Sequence, residues 1–206
     1  MKKYYIFDMD GTLADSMKLW HSEIIAYKKA EEERAAAEKR EKPFKEKGSL
    51  LKSPKDSGFM EPIFDRMREH YRNEIDYKSG VVDFMNRARQ AGIKMCIATG
   101  TRRDVAQPFL DKSGILDYME FYIDCYEVGA FKDYPDIYLG AAKKLGADIK
   151  DCIVFEDSAY SAETAKKAGF LIAGIYDEAT IREGDVQPFS DIYIRDWNDM
   201  REKELP

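Results

Sequence analysis

Short apolar runs that alternate with helical patterns are the feature that most constrains the fold of this chain. Because these runs are nearly continuous in apolar character, they indicate strands buried on both faces, as in a parallel sheet. A glycine follows several helical patterns, where a left-handed C-terminal residue is expected. This alternation predicts an α/β fold with a doubly wound parallel sheet. The strand candidates are 4–8, 93–98, 121–124, 152–156, 171–175 and, more weakly, 192–194, and the glycines are Gly92, Gly114, Gly146 and Gly169.

Residues 16–77 interrupt this alternation, because two helical patterns follow the first strand with no strand between them. Each pattern carries an apolar stripe at helical spacing, which predicts a packing surface. Residues 28–42 contain no apolar side chain larger than alanine and predict a solvated helix. Residues 43–58 predict an irregular connection. We therefore predict a small helical domain at 16–77, inserted after the first strand into a core formed by 1–15 and 78–206. The two stripes are Met17, Trp20, Ile24 and Tyr27, and Met60, Ile63, Phe64, Met67 and Tyr71.

The composition excludes several function classes. A formal net charge of −6 argues against a general nucleic-acid-binding surface. No apolar stretch approaches the length of a membrane span, and the first apolar run is too short for a signal peptide. The three cysteines have no thiolate-metal spacing. They predict reduced, buried cysteines in a cytoplasmic protein. The charge and the apolar runs together predict a protein that binds neither nucleic acid nor membrane.

Two acidic pairs stand at the ends of predicted strands. Asp8 and Asp10 follow the first apolar run, and Glu156 and Asp157 end the run that begins at Cys152. The carboxyl ends of parallel strands share one edge of a sheet, so we expect the four carboxylates to meet there. Anions at that distance repel one another unless a cation lies between them. Oxygen ligands favour a hard divalent cation, and the sequence therefore predicts a Mg²⁺ site.

Polar residues at two other places suit an anionic substrate. Thr99 and Gly100 end the strand candidate 93–98, where a hydroxyl and exposed backbone N–H groups can bind an anion. Lys132 precedes a predicted helix. Taken singly, Thr99 and Gly100 are residue types that are common in turns, and a lone lysine such as Lys132 is usually solvated. Together with the acidic pairs, they indicate a site for a phosphorylated molecule.

These motifs resemble those of the haloacid dehalogenase superfamily, in particular its phosphatase branch with a helical cap. The resemblance covers the core in four places, whereas 16–77 resembles the cap in position only. It implies a Rossmann-like core and a cytoplasmic hydrolase, acting as a monomer or homodimer on a small phosphorylated metabolite. The matching segments are Asp8-Met9-Asp10-Gly11-Thr12, Thr99, Lys132 with Pro135-Asp136, and Phe155-Glu156-Asp157-Ser158.

The resemblance also implies roles for the site residues. Asp8 would attack phosphorus and form an aspartyl-phosphate. Asp10 would protonate the leaving oxygen and later take a proton from water. Mg²⁺ would be the cofactor, and the inserted helices would close over the site. The implied metal ligands are Asp8, Asp10 through its carbonyl, Glu156 and Asp157, and the implied phosphate-binding residues are Thr99, Gly100 and Lys132.

Three other functions compete with phosphatase activity. A β-phosphoglucomutase-like sugar-phosphate mutase shares the core motifs, but His21 stands one position late for that branch. Dehalogenation needs neither an acid at Asp10 nor a metal. A non-catalytic binding module on the same scaffold predicts loss of a motif residue, and none is lost. Two departures, Asp133 after the motif lysine and Ser161 at a common glycine position, lie outside the catalytic positions. Further candidates for substrate contact, for which packing or solvated roles are the simpler interpretation, are Lys18, Trp20, His21, Arg102 and Arg103.

Overall fold

A single parallel sheet of six strands organises the molecule. The computed structural model describes residues 3–38 and 54–200. The strands lie in the order β3-β2-β1-β4-β5-β6, and every pair of neighbours is parallel. The predicted strands are confirmed, with ends that differ by one residue at most. Their bounds are β1 Tyr4–Phe7, β2 Lys94–Thr99, β3 Tyr122–Asp124, β4 Cys152–Glu156, β5 Leu171–Ile175 and β6 Ile192–Ile194.

The strand order reverses direction at β1, which pairs with β2 on one side and β4 on the other. Phe7 at the end of β1 is in register with Ile97 and with Phe155. The segments that follow these three strands therefore leave the sheet side by side. In open α/β sheets, ligands bind in the crevice at such a reversal.

Helices cover both faces of the sheet. Side chains of β1 alternate between the two faces, with Tyr5 and Phe7 in one hydrophobic cluster and Ile6 in the other. The first cluster includes helices α3 (Val81–Gln90) and α4 (Arg103–Ser113), and the second includes α6 (Asp136–Leu145) and α7 (Ala159–Lys167). This arrangement confirms the doubly wound α/β core. The helices are α1 Met17–Ala37, α2 Glu61–Asn73, α3 Val81–Gln90, α4 Arg103–Ser113, α5 Cys125–Val128, α6 Asp136–Leu145 and α7 Ala159–Lys167.

The two helices inserted after β1 differ in how deeply they pack. Helix α2 lies against α4, and its side chains Ile63, Met67 and Tyr71 are buried in the same cluster as the sheet. Helix α1 buries only Ala35 completely, and it continues past Lys28 with mostly exposed side chains, as predicted. The division into a core and a separate domain at 16–77 stays a prediction.

The connection between α1 and α2 departs from the sequence prediction where it is described. Pro54–Met60 forms a 3-10 helix rather than an irregular segment. Proline has a fixed φ close to helical values, so Pro54 suits the start of a helical turn. Residues 39–53, which complete both the predicted solvated helix and the predicted connection, lie outside the described residues.

The remaining sequence predictions concern glycines, cysteines and membrane segments. All four predicted helix-ending glycines have positive φ. Cys96, Cys125 and Cys152 are buried and free of disulfides, as expected. None of the helices in 3–38 and 54–200 combines the length and apolar character that a membrane span needs.

Candidate active site

Three carboxylates meet at the carboxyl edge of the sheet. Asp8 follows β1 and its backbone N–H donates to the carbonyl of Phe155 at 2.9 Å, which places it beside the end of β4. Glu156 ends β4 and Asp157 follows it. One oxygen of each carboxylate lies within 4.8 Å of the other two, and all three side chains are buried. The strand-end argument predicted that four carboxylates would meet at this edge. The structure brings together Asp8, Glu156 and Asp157, whereas the Asp10 carboxylate lies outside this group.

A buried lysine lies between two members of this cluster. Lys132, in the segment between α5 and α6, donates from Nζ to Asp8 Oδ1 and to Glu156 Oε1, both at 2.6 Å. The hydroxyl of Tyr138 also donates to Glu156 Oε1 at 2.6 Å. The lysine is only 4% exposed, so the solvated interpretation of this residue is wrong.

Lys132 alone does not balance the negative charge of the cluster. Three ionised carboxylates and one ammonium would leave a net charge of about −2 in a buried site, which is costly without another cation. Within the described residues, Glu156 Oε2 is buried and has no hydrogen-bond partner. An oxygen-rich set of this kind fits a hard divalent cation. The structure thus supports a metal site at Asp8, Glu156 and Asp157.

The ionisation of these groups reflects burial and mutual repulsion. Burial raises the pKa of Glu156 to about 7, although the Lys132 ammonium opposes this shift. Burial, with repulsion from Asp8 and Glu156, raises the pKa of Asp157 well above its ordinary value. Burial lowers the pKa of Lys132, but the Asp8 and Glu156 carboxylates outweigh it and raise that pKa well above the ordinary value. A cation bound at the cluster would favour the ionised carboxylates.

Two hydroxyl groups orient the Asp157 carboxylate. Thr180 donates from Oγ1 to Oδ2 at 2.6 Å, and Thr12 donates to Oδ1 at 3.4 Å. Gly11 lies directly beneath, with φ at +76°, and a Cβ atom there would lie 2.1 Å from Asp157 Oδ2. Glycine is therefore required at this point both by the backbone conformation and by the close approach of Asp157.

The loop after β5 is itself held in place by a partly buried ion pair. Asp177 accepts from the backbone N–H groups of Ala179 and Thr180 through Oδ1, at 2.9 and 3.0 Å. Lys78 donates from Nζ to Asp177 Oδ2 at 2.9 Å and to the carbonyl of Gly11 at 2.6 Å. Sequence reasoning missed Thr180, Asp177 and Lys78, because they are ordinary polar residues in loops and match no motif.

The Asp10 carboxylate lies apart from the acidic cluster and accepts four hydrogen bonds. Ser16 Oγ and Tyr71 OH donate to Oδ1, both at 2.5 Å, and Trp20 Nε1 donates to the same oxygen at 3.3 Å. Thr101 Oγ1 donates to Oδ2 at 2.6 Å. Burial and the neighbouring Asp8 charge raise the pKa of Asp10, and the hydroxyl donors act in the opposite direction. Metal ligation by Asp10, expected through its backbone carbonyl, stays a prediction.

The predicted phosphate-binding residues lie on the same edge. Thr99 ends β2, is buried, and accepts from the backbone N–H of Thr101 at 3.1 Å. Gly100 is exposed, and a Cβ atom there would meet nothing within 4 Å. The hydroxyl of Tyr122 donates to the carbonyl of Thr101 at 2.6 Å and holds this turn.

A cavity of about 1110 Å³ opens over these groups. Its other wall is formed by the inserted helices, including Trp20, His21 and Phe64. Lys18 lies elsewhere and pairs with Glu178, and Arg102 pairs with Glu61 and Asp104. The sequence-predicted site residues that line the cavity are Asp8, Asp10, Thr99, Gly100, Lys132, Glu156 and Asp157.

The family model for haloacid dehalogenase-like hydrolases matches residues 2–169. The chain belongs to this family. The match includes all seven sequence-predicted site residues, whereas Asp177 and Thr180, which support Asp157, lie beyond it. The prediction of a hydrolase from this superfamily is confirmed, as is its Rossmann-like α/β core.

Curated relatives of this chain differ in how much of their own length the match covers. Protein CbbY of Rhodobacter capsulatus is 27% identical over an alignment of 225 positions, which covers 99% of this chain and 97% of CbbY. Phosphoglycolate phosphatase of Agrobacterium fabrum is 30% identical over 122 residues, 56% of this chain and 52% of that protein. A haloacid dehalogenase-like hydrolase domain-containing protein of Arabidopsis thaliana is 32% identical over 111 residues, 52% of this chain. The match spans only 34% of the Arabidopsis protein.

The fold agrees with that of solved structures in the family. CbbY from Rhodobacter sphaeroides in complex with phosphate superposes with a TM-score of 0.72 at 20% identity. The superposition covers 97% of this chain and 96% of CbbY. At this level of identity, the likeness shows the fold alone.

Proposed function

We propose that this hydrolase cleaves phosphomonoesters of small metabolites through an aspartyl-phosphate on Asp8. The observation that carries the proposal is the placement of Asp8 at the floor of the cavity, 2.6 Å from the Lys132 ammonium. A carboxylate can attack phosphorus directly, without a base to activate it. The curated names of relatives, including phosphoglycolate phosphatase, support phosphate esters as the substrate class.

The first step forms one bond and breaks another at phosphorus. An oxygen of Asp8 bonds to phosphorus while the bond from phosphorus to the ester oxygen breaks. Asp10 gives its proton to the departing alkoxide. Lys132, Thr99 and the backbone N–H of Gly100 neutralise the phosphoryl oxygens, because hydrogen-bond donors in a dry site stabilise the charge that develops there.

The second step releases phosphate and restores the enzyme. Water attacks phosphorus and gives a proton to Asp10, and the bond from phosphorus to the Asp8 oxygen breaks. The same Asp10 side chain therefore serves as acid and then as base. The helices at 16–77, in the role of a cap, exclude bulk water from the first step.

Mg²⁺ is the cofactor that the acidic cluster fits best. Asp8, Glu156 and Asp157 would hold it, with the unpartnered Glu156 Oε2 available directly or through water. When bound, Mg²⁺ supplies positive charge that screens the nucleophile from the substrate phosphate. The surrounding cavity has space for a small metabolite.

Hydrolysis of p-nitrophenyl phosphate tests the proposal. With millimolar Mg²⁺, the wild-type protein should release nitrophenol, and Asp8→Asn should reduce turnover by at least about 10³-fold, because loss of the nucleophile removes the covalent route. Asp148→Asn is the matched control and should keep full activity, because Asp148 is exposed and forms its one ion pair within 3–38 and 54–200 with the exposed Lys150. Undiminished turnover by Asp8→Asn would reject the mechanism.

Sugar-phosphate mutase activity is the alternative. His21 lines the cavity and pairs with Glu183 at 3.2 Å, so a histidine does face the substrate space. A mutase should interconvert glucose 1-phosphate and glucose 6-phosphate when primed with a bisphosphate. The phosphatase proposal predicts release of inorganic phosphate instead.

A further inference from the structure

We propose that Tyr71 and Trp20, from the two inserted helices, are positioning residues that set the orientation of the Asp10 carboxylate. They fix Oδ1 as a hydrogen-bond acceptor and leave Oδ2 as the oxygen that exchanges the proton with the substrate. The inference rests on the proposed function, in which Asp10 is the acid and base. Beyond that function, it assigns to Tyr71 and Trp20, which belong to no motif of the core, two of the hydrogen bonds that orient the Asp10 carboxylate.

The direction of each hydrogen bond follows from the chemistry of the donors. An indole N–H donates and cannot accept. Trp20 Nε1 lies 3.0 Å from the Tyr71 oxygen and 3.3 Å from Asp10 Oδ1. Because the Tyr71 oxygen accepts from Trp20, its own hydrogen is free to point at Asp10 Oδ1, 2.5 Å away. The pair therefore presents two donors and no acceptor to this oxygen.

The two carboxylate oxygens of Asp10 consequently differ. Oδ1 accepts from Trp20, Tyr71 and Ser16. The Ser16 hydroxyl can rotate to accept, but a proton on this oxygen would still oppose the two donors of the pair formed by Trp20 and Tyr71. Oδ2 contacts only the hydroxyl of Thr101 among the described residues, at 2.6 Å. A threonine hydroxyl can rotate to accept instead of donate, so Oδ2 tolerates either protonation state. Thr101 directly follows Thr99 and Gly100, the predicted phosphate-binding residues, and lines the cavity with them.

Packing independent of Asp10 fixes the positions of both donors. The Tyr71 side chain is fully buried, and its ring packs 6.2 Å from that of Phe109 on α4. The indole of Trp20 lies edge-on to Phe64, with ring centroids 6.3 Å apart. The hydroxyl and the N–H are thus held by the hydrophobic cluster rather than by the carboxylate. Asp10 acquires its full set of donors only when α1 and α2 lie against the core.

Comparison of two phosphate esters tests the proposal. Nitrophenolate is a good leaving group that departs without an acid, whereas the alkoxide of glycerol 2-phosphate needs the Asp10 proton. The parameter kcat/KM reports the steps up to transfer of the phosphoryl group. In Tyr71→Phe, kcat/KM for glycerol 2-phosphate should fall about 10-fold or more, within the range general-acid catalysis provides, while p-nitrophenyl phosphate should change less than about 2-fold. Trp20→Phe should shift the ratio in the same direction.

Tyr77→Phe is the matched control for the loss of a tyrosine hydroxyl. The ring of Tyr77 also packs on Phe109, at 5.5 Å, but its hydroxyl donates to the carbonyl of Ser113 rather than to Asp10. This variant should keep the wild-type ratio for the two esters. If Tyr71→Phe fails to fold, Trp20→Phe carries the test.

The outcomes separate this proposal from the proposed function. A selective loss for glycerol 2-phosphate in the Tyr71 or Trp20 variant supports the positioning role. Equal losses for both esters, or an unchanged ratio, overturn it while phosphatase activity stands. A wild-type protein that hydrolyses neither ester removes the proposed function, and the positioning role with it.

Discussion

The hydroxyl of Thr180 should control how tightly the acidic cluster binds Mg²⁺. It donates to Asp157 Oδ2 at 2.6 Å, whereas the second donor, Thr12, lies 3.4 Å from the other oxygen. Thr180 therefore provides the stronger of the two contacts that orient Asp157. Valine has nearly the same shape as threonine and lacks the hydroxyl, so Thr180→Val removes this contact with little change in packing volume.

The expected loss follows from the kind of hydrogen bond removed. A hydrogen bond to a charged group contributes about 1.5–3 kcal/mol to stability. Groups that orient metal ligands typically change metal affinity by about 10- to 100-fold when removed. We therefore expect the Mg²⁺ dissociation constant of Thr180→Val to rise by about 10-fold or more, equivalent to about 1.4 kcal/mol.

Isothermal titration calorimetry with MgCl₂ measures this change without relying on catalysis. Thr180→Ser keeps the hydroxyl and is the matched control, with an affinity expected within about 3-fold of wild type because the donor is retained. Wild-type affinity in Thr180→Val would refute the reasoning. Equal weakening in Thr180→Val and Thr180→Ser would refute it as well, because the effect would then follow the γ-methyl group or its packing.

Three further predictions concern stability. Gly11→Ala should lower the free energy of unfolding, measured with urea, more than Gly92→Ala does. Both glycines have positive φ. Of the two, only Gly11 would bring its new Cβ into collision with a carboxylate oxygen, at 2.1 Å. Hydrogen bonding to Glu23 raises the pKa of His70 above 6.5, so this contact stabilises the fold below pH 6.5 and is lost as pH rises through the raised value. Wild-type stability should fall over that window more steeply than that of His70→Gln. Trp197→Ala should cost about 3–5 kcal/mol in the same urea assay, because a large buried side chain is removed from an aromatic cluster.

The sheet could be predicted from the sequence because burial on both faces leaves a strong local signal. The runs at β4, β5 and β6 are apolar nearly throughout, and their observed bounds match the predicted ones. The edges of β1, β2 and β3 moved by one residue, since strand ends depend on pairing with neighbours rather than on the run itself. Parallel pairing then brought together Asp8 and Glu156, which are remote in sequence.

The residues that support the site could not be predicted in the same way. Thr180 and Lys78 act through contacts with Asp157 and Asp177, across the fold, and their own surroundings in the sequence are those of ordinary loops. The apolar stripe that includes Tyr71 predicts a packing role, and its ring does pack against Phe109. Its hydroxyl contacts Asp10 only because α2 lies across α4. Such pairings depend on tertiary packing, which local periodicity does not encode.

The burial of Lys132 is the feature that is hardest to predict from the sequence. A lysine before a helix is usually solvated, and only its combination with the acidic pairs and the resemblance to a known motif indicate otherwise. In the structure, two carboxylates at 2.6 Å compensate its burial. Neither contact is visible locally, because Asp8 lies 124 residues away and Glu156 lies 24 residues away.

Chemical trapping of the intermediate tests the central claim most directly. Borohydride reduces an acyl phosphate on aspartate to homoserine, whereas a free carboxylate does not react. The protein should be quenched during turnover with a phosphomonoester and Mg²⁺, treated with borohydride, digested and analysed by mass spectrometry. The account predicts homoserine at residue 8 alone, dependent on substrate and absent from Asp8→Asn. Homoserine at another aspartate, or steady turnover with Asp8 always recovered unmodified, would contradict it.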